Sequence, residues 1–100
     1  MVYLFASVKL KSGTVERFTE LLQGVAPVLA RLGDWKLLGS YFNSIGRMNT
    51  VVDVWELPDA NAVQSTLDRA ATDAEWQKWV PVIQEIVEDE TLEIRTKLPV

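Results

Sequence analysis

Residues 34–57 read DWKLLGSYFNSIGRMNTVVDVWEL, and this stretch decides the fold. Two runs rich in β-branched and aromatic residues flank Ser44, Ile45, Gly46, Arg47 and Met48, the composition of a β-hairpin closed by a loop of several residues. Pairing Asn43 with Asn49 sets Tyr41 across from Val51, Gly39 from Asp53 and Leu37 from Trp55. One face then reads Trp35, Leu37, Gly39, Tyr41, Val51, Asp53, Trp55, and the other Lys36, Leu38, Ser40, Phe42, Val52, Val54, Glu56. A loop one residue longer or shorter would slip one strand against the other and mix these sets, because side chains alternate with a period of two.

Working outward, Val2 to Lys11 alternates as a strand: Val2, Leu4, Ala6, Val8 and Leu10 form an aliphatic face suited to helices, and Tyr3, Phe5, Ser7 and Lys9 form the other. Ser12 and Gly13 turn the chain. Thr14 is placed to cap a helix whose apolar stripe is Val15, Phe18, Leu22, Val25, Leu29 and Leu32. Pro27 predicts a bend near Gln23 and Gly24, and Gly33 a helix stop.

Beyond the hairpin, Pro58 and Asp59 end the strand and open a short helix with Ala60, Val63, Leu67 and Ala70 inward. Thr72 with Glu75 forms a capping box for a further helix carrying Trp76, Trp79 and Val80, with a break or kink expected at Pro81. Glu85, Glu88, Asp89 and Glu90 read as an acidic, solvated surface run. Thr91 to Leu98 alternates as a last strand, with Leu92, Ile94, Thr96 and Leu98 toward the helices. The order βαββαβ, with no repeat or linker, predicts one α+β domain over residues 1–100: a ferredoxin-like antiparallel four-stranded sheet with the helices on one face and the hairpin at its middle.

Composition removes whole classes of chemistry. The chain has no cysteine and no histidine, so thiolate nucleophiles, Ser-His-Asp arrangements and the commonest transition-metal ligand are missing. No carboxylates cluster at a spacing that suggests a metal site, and no glycine-rich phosphate loop is present. A formal charge of −4 has the wrong sign for nucleic acid or anionic lipid. No run approaches the roughly 18 apolar residues of a membrane span, and Met1 leads directly into a strand. A soluble, cytoplasmic protein is expected.

Helices on one side of a sheet leave the other side bare. Trp35, Tyr41 and Trp55 are expected on that bare side, an aromatic patch that a second copy would bury. The sequence therefore predicts a homodimer with a pocket between facing sheets.

The segments LKSG, KLLGSYFNSIGRMNTVVDVWEL and TDAEWQKWV resemble the NIPSNAP family, through Gly39, Tyr41, Gly46, Asn49, Val51, Val52, Trp55, Glu56, Glu75, Trp76 and Gln77. The resemblance implies the dimeric α/β barrel form of the ferredoxin-like fold. It also marks two departures. Asp53 stands where the family often has His, and Ala6 and Val8 stand where its first strand often has Arg and Tyr. Some barrels of this type hold haem through histidine, which this chain lacks, so no cofactor is expected.

Asp53 is the sharpest candidate for chemistry. A carboxyl facing an apolar cavity resists ionisation, and its pKa rises toward the range useful for proton transfer. It is read as a general acid or base, with Tyr41 as a hydrogen-bond donor. Trp35, Gly39, Trp55 and Trp76, together with Tyr3, Phe5 and Ser7, are read as the wall for a small apolar or aromatic ligand. As in similar barrels, the activity would be cofactor-independent proton transfer, cyclisation or oxygenation. The alternative is a non-catalytic binding or scaffolding module in which Asp53 pairs with Arg95 or with a cation of the partner subunit.

Overall fold

The computed structural model describes all 100 residues. Its elements are β1 (Val2–Leu10), α1 (Val15–Gly33), β2 (Lys36–Phe42), β3 (Thr50–Leu57), α2 (Ala62–Ala70), α3 (Ala74–Ile86) and β4 (Val87–Arg95). The strands form one antiparallel sheet in the order β2-β3-β1-β4, and the helices cover one face. This is the expected ferredoxin-like α+β arrangement. The hairpin is not at the middle of the sheet, however: β2 is an edge, and the centre is β1 beside β3.

The aliphatic face of β1 decides where the helices go. Leu4, Ala6, Val8 and Leu10 are buried against Phe18, Leu21, Leu22, Val25 and Leu29 of α1. Each leucine, valine or phenylalanine so removed from water contributes on the order of 1.5–3 kcal/mol. Antiparallel pairing then carries that choice to β3, because Leu4 pairs with Trp55, Ala6 with Asp53 and Val8 with Val51. The odd-numbered residues of β3 therefore lie under the helices. The sequence reading had placed them on the bare side, and this is the main correction that the structure makes.

A second correction lies in the hairpin. Leu37 pairs with Trp55 as expected, but a bulge at Leu38 shifts the register, so that Gly39 pairs with Val54, Ser40 with Asp53 and Tyr41 with Val52. The extra residue flips the outer half of β2 by one position. Beyond it, the loop is closed by the Asn43 N–H donating to the Thr50 carbonyl at 3.1 Å, with Gly46 and Asn49 at φ 130° and 55°.

Glycines fix how the helices approach each other. A Cβ at Gly24 would meet the Trp79 ring, and one at Gly33 would meet the Thr66 side chain. Gly33 is thus a contact point for α2. The left-handed residue that ends α1 is Asp34, at φ 56°. Two ion pairs hold α1 antiparallel to α3: Arg17 with Glu85 at 2.9 Å and Arg31 with Asp73 at 2.8 Å.

Asp73, not Thr72, caps α3, accepting from the Trp76 N–H at 3.1 Å. Pro27 and Pro81 lie inside α1 and α3, which both continue past them. α3 passes directly into β4, so the last strand begins at Val87, earlier than Thr91, and residues 96–100 lie outside the sheet. No helix is long and apolar enough to cross a membrane.

Candidate functional site

Between the sheet and the helices lies a cavity of about 190 Å³. Ala6, at the centre of its floor, offers only a methyl group. Trp35, Trp55 and Trp76 form walls, and Phe18, Leu22 and Val25 descend from α1. Trp35 and Trp55 meet edge to face, with centroids 5.6 Å apart and planes at 69°. The indole N–H of Trp35 donates to Thr66 Oγ1 at 3.1 Å, which satisfies its one polar atom and fixes the ring.

Of the 16 lining residues 14 are hydrophobic, and the other two are Asp53 and Glu90. They enter from the strands on either side of β1. Asp53 sits across from Ala6, and Glu90 pairs with Val8, one step further along the same face. No lysine or arginine lines the space.

Asp53 is only 3% exposed. Its Oδ1 accepts from Ser40 Oγ at 2.6 Å, a contact that exists because the bulge at Leu38 brings Ser40 onto the covered face. Burial pushes the carboxyl up to about 6; the Ser40 hydroxyl opposes the rise, and the negative charge of Glu90 adds to it. Glu90 is itself raised by desolvation, although its residue as a whole remains exposed at the sheet edge. Both acids hold their protons more tightly than free carboxylates because an apolar surrounding disfavours charge.

The structure divides the predicted site residues into two groups. Asp53, Trp35, Trp55 and Trp76 come together at the cavity. Gly39, Tyr41, Tyr3, Phe5 and Ser7 belong to the opposite face of the sheet, with Val52, Val54 and Glu56 as their cross-strand neighbours. Tyr41 is 62% exposed, and Gly39 leaves room for the Tyr41 ring, whose hydroxyl would lie 2.6 Å from a Cβ there. The pocket beside Asp53 therefore lies within one chain, not between two sheets. Asp53 also makes no ion pair with Arg95, whose guanidinium stacks over the Phe5 ring at 4.2 Å on the opposite face.

Two residues of the site were not singled out from the sequence. Glu90 was read as part of a solvated acidic run; extending the alternation of Leu92 and Ile94 back by one step would have put it on the covered face. The expected register separates Ser40 from Asp53 by putting them on opposite faces, and nothing in the sequence marks the bulge at Leu38 that brings them together.

The sequence profile of the NIPSNAP family matches residues 3–100. The chain belongs to the NIPSNAP family. Among solved structures, it is similar to an uncharacterised NIPSNAP domain protein from Burkholderia xenovorans, with a TM-score of 0.83 and 21% identity over 99% of this chain and 96% of that one. It is also similar to a NIPSNAP family protein of unknown function from Agrobacterium tumefaciens, with a TM-score of 0.81 and 20% identity over 99% and 92% of the two chains. A Deinococcus radiodurans protein provisionally assigned as an antibiotic biosynthesis monooxygenase superposes with a TM-score of 0.69 at 10% identity, covering 100% of this chain and 95% of that one. At these identities the likeness is one of fold. No curated protein matches the chain. Within this NIPSNAP chain, the small side chain of Ala6 keeps the cavity floor open next to Asp53, and Val8 is core beside it.

Proposed function

We propose that this NIPSNAP protein binds a small apolar or aromatic molecule in the cavity between sheet and helices, and that Asp53 moves a proton on it as a cofactor-independent catalyst. One observation carries this reading: a carboxyl 3% exposed, with no cation beside it, on the floor of a cavity whose other lining residues, Glu90 aside, are hydrophobic. With a pKa of about 6, Asp53 is mostly ionised at neutral pH, yet basic enough to take a proton from a weakly acidic C–H or O–H held against it. The low dielectric of the cavity strengthens that interaction. Ser40, through its hydrogen bond, fixes the carboxyl's orientation. Abstraction of this kind starts an isomerisation or cyclisation, and, with dioxygen as the oxidant, it is also the first step in oxygenating an electron-rich ring. The monooxygenase assignment of the similar-fold Deinococcus protein makes oxygenation worth assaying.

The test is deuterium exchange from heavy water into a small aryl-substituted ketone such as phenylacetone, followed by NMR. The native protein should accelerate exchange and Asp53→Asn should not. Equal rates for native and variant would remove Asp53 from the chemistry.

In the same proposal two chains pair through their bare sheet faces. Tyr3, Phe5, Val52 and Val54 supply an apolar centre there, and Tyr41 stands exposed beside them. Light scattering should give twice the monomer mass, and a stable monomer would overturn the pairing while leaving the intrachain cavity as described.

A further inference from the structure

We propose that the ligand of this cavity is a compact primary amine, bound as its ammonium ion, with an apolar and preferably aromatic body. The inference rests on the reading of the cavity as a ligand site and not on proton transfer: toward an ammonium ligand Asp53 is the counter-ion, and it is a base only toward a neutral one.

The cavity holds two acids and no base. Asp53, beside Ala6, and Glu90, beside Val8, enter from the two strands that flank β1, and every other lining residue is hydrophobic. A buried carboxylate ordinarily finds a cation in its own chain. Here no lysine or arginine lines the space, and four arginines have partners elsewhere: Arg17 with Glu85, Arg31 with Asp73, Arg69 with the Leu32 carbonyl, and Arg95 with the Phe5 ring on the opposite face.

Asp53 is also only half satisfied. Ser40 donates to Oδ1. Oδ2 has no hydrogen-bond partner in the protein and is not sealed within the core, and Asp53 lines the cavity. A nearly buried carboxylate that lines an otherwise apolar space with one oxygen unpartnered lacks a donor, and preferably a positive one. An ammonium group supplies three N–H donors and a compact charge. It would reach Oδ2 and leave a donor directed toward Glu90.

The walls suit the same ligand. Trp35, Trp55 and Trp76 surround the space, and indole faces attract cations more strongly than other aromatic side chains do. Size sets the scale: a cavity of roughly 150 Å³ accommodates benzene, so about 190 Å³ fits one ring carrying a short arm. Glu90, at the exposed edge, would draw a cation inward, and the same pair of acids would repel a carboxylate. A divalent metal is a poor match, because no third acid, histidine or cysteine joins the two and such ions take six or more oxygens.

The test compares benzylamine with benzyl alcohol, which is neutral and nearly the same shape. Calorimetric titration of the native protein should give a dissociation constant at least about tenfold lower for benzylamine, the scale of a hydrogen bond to a charged group. Asp53→Asn should bring benzylamine down toward the alcohol, and Glu90→Gln should reduce the preference in part. Benzyl alcohol binding as well as benzylamine would overturn the amine inference while leaving an apolar ligand site. Binding of neither would overturn both readings. The comparison on the native protein needs no variant to fold.

Discussion

Along β3, Val51, Asp53, Trp55 and Leu57 are each no more than 4% exposed beneath the helices, whereas Val52, Val54 and Glu56 between them face the uncovered side. The covered face thus contains an aspartate and the uncovered face two valines. Hydrophobicity along β3 alone does not choose between them. The choice is made on β1, where the aliphatic residues are Leu4, Ala6, Val8 and Leu10, and the pairing of Ala6 with Asp53 passes it to the neighbouring strand. A carboxylate is buried because its strand neighbours are.

Four substitutions break or sharpen this contrast, and chemical denaturation reads each of them. The largest effect is expected for Trp55→Ala on the covered face, which empties a buried aromatic site against Trp35 and should cost about 3–5 kcal/mol. A loss below about 1 kcal/mol would mean that this face is not core.

Asp53→Asn should act in the opposite direction. Folded Asp53 keeps its proton up to about pH 6 and the unfolded chain only to 3.8, so the folded state binds the extra proton between those values. Native stability therefore falls as pH rises through that window, by about 3 kcal/mol at 1.36 kcal/mol per pKa unit. The variant has no charge to bury. It should exceed the native protein by up to about 3 kcal/mol at pH 8, with the gap closing below pH 4. A variant less stable at pH 8 would instead reveal a cation paired with Asp53.

Gly24→Ala places a methyl group against the Trp79 ring and should cost about 1–3 kcal/mol through overpacking between α1 and α3. Tyr41→Ala on the uncovered face should change the stability of the isolated chain by less than about 1 kcal/mol. If two chains pair through that face, the same change weakens the dimer, which dilution followed by light scattering would detect.

Much of the fold was legible because its signals are local. The alternation of Val2 to Leu10, the helical stripe from Val15 to Leu32 and the hairpin composition of residues 34–57 each name an element from its own residues. What the sequence hid depends on contacts between elements. Which face of β3 meets α1 follows from the β1–β3 register, and Ser40 reaches Asp53 only through the bulge at Leu38. Glu90 entered the site because α3 passes into β4 without a loop, which an acidic run does not announce. Asp53 was found as the isolated acid in an apolar strand, and Trp35, Trp55 and Trp76 as its aromatic company. Gly39, Tyr41, Tyr3, Phe5 and Ser7 lie on the uncovered face as expected, and what the pairing moves away from them is Asp53 with Trp35 and Trp55.

The central claim is that Asp53 is an unpaired acid in a helix-covered cavity. Carbon-13 NMR titration of its carboxyl tests this most directly. A midpoint of about 6, rising further in Ser40→Ala because that hydroxyl favours the ionised form, is the predicted result. A midpoint at or below the ordinary 3.8 would show a carboxylate neutralised by a cation, and the proton-transfer role would fall with it.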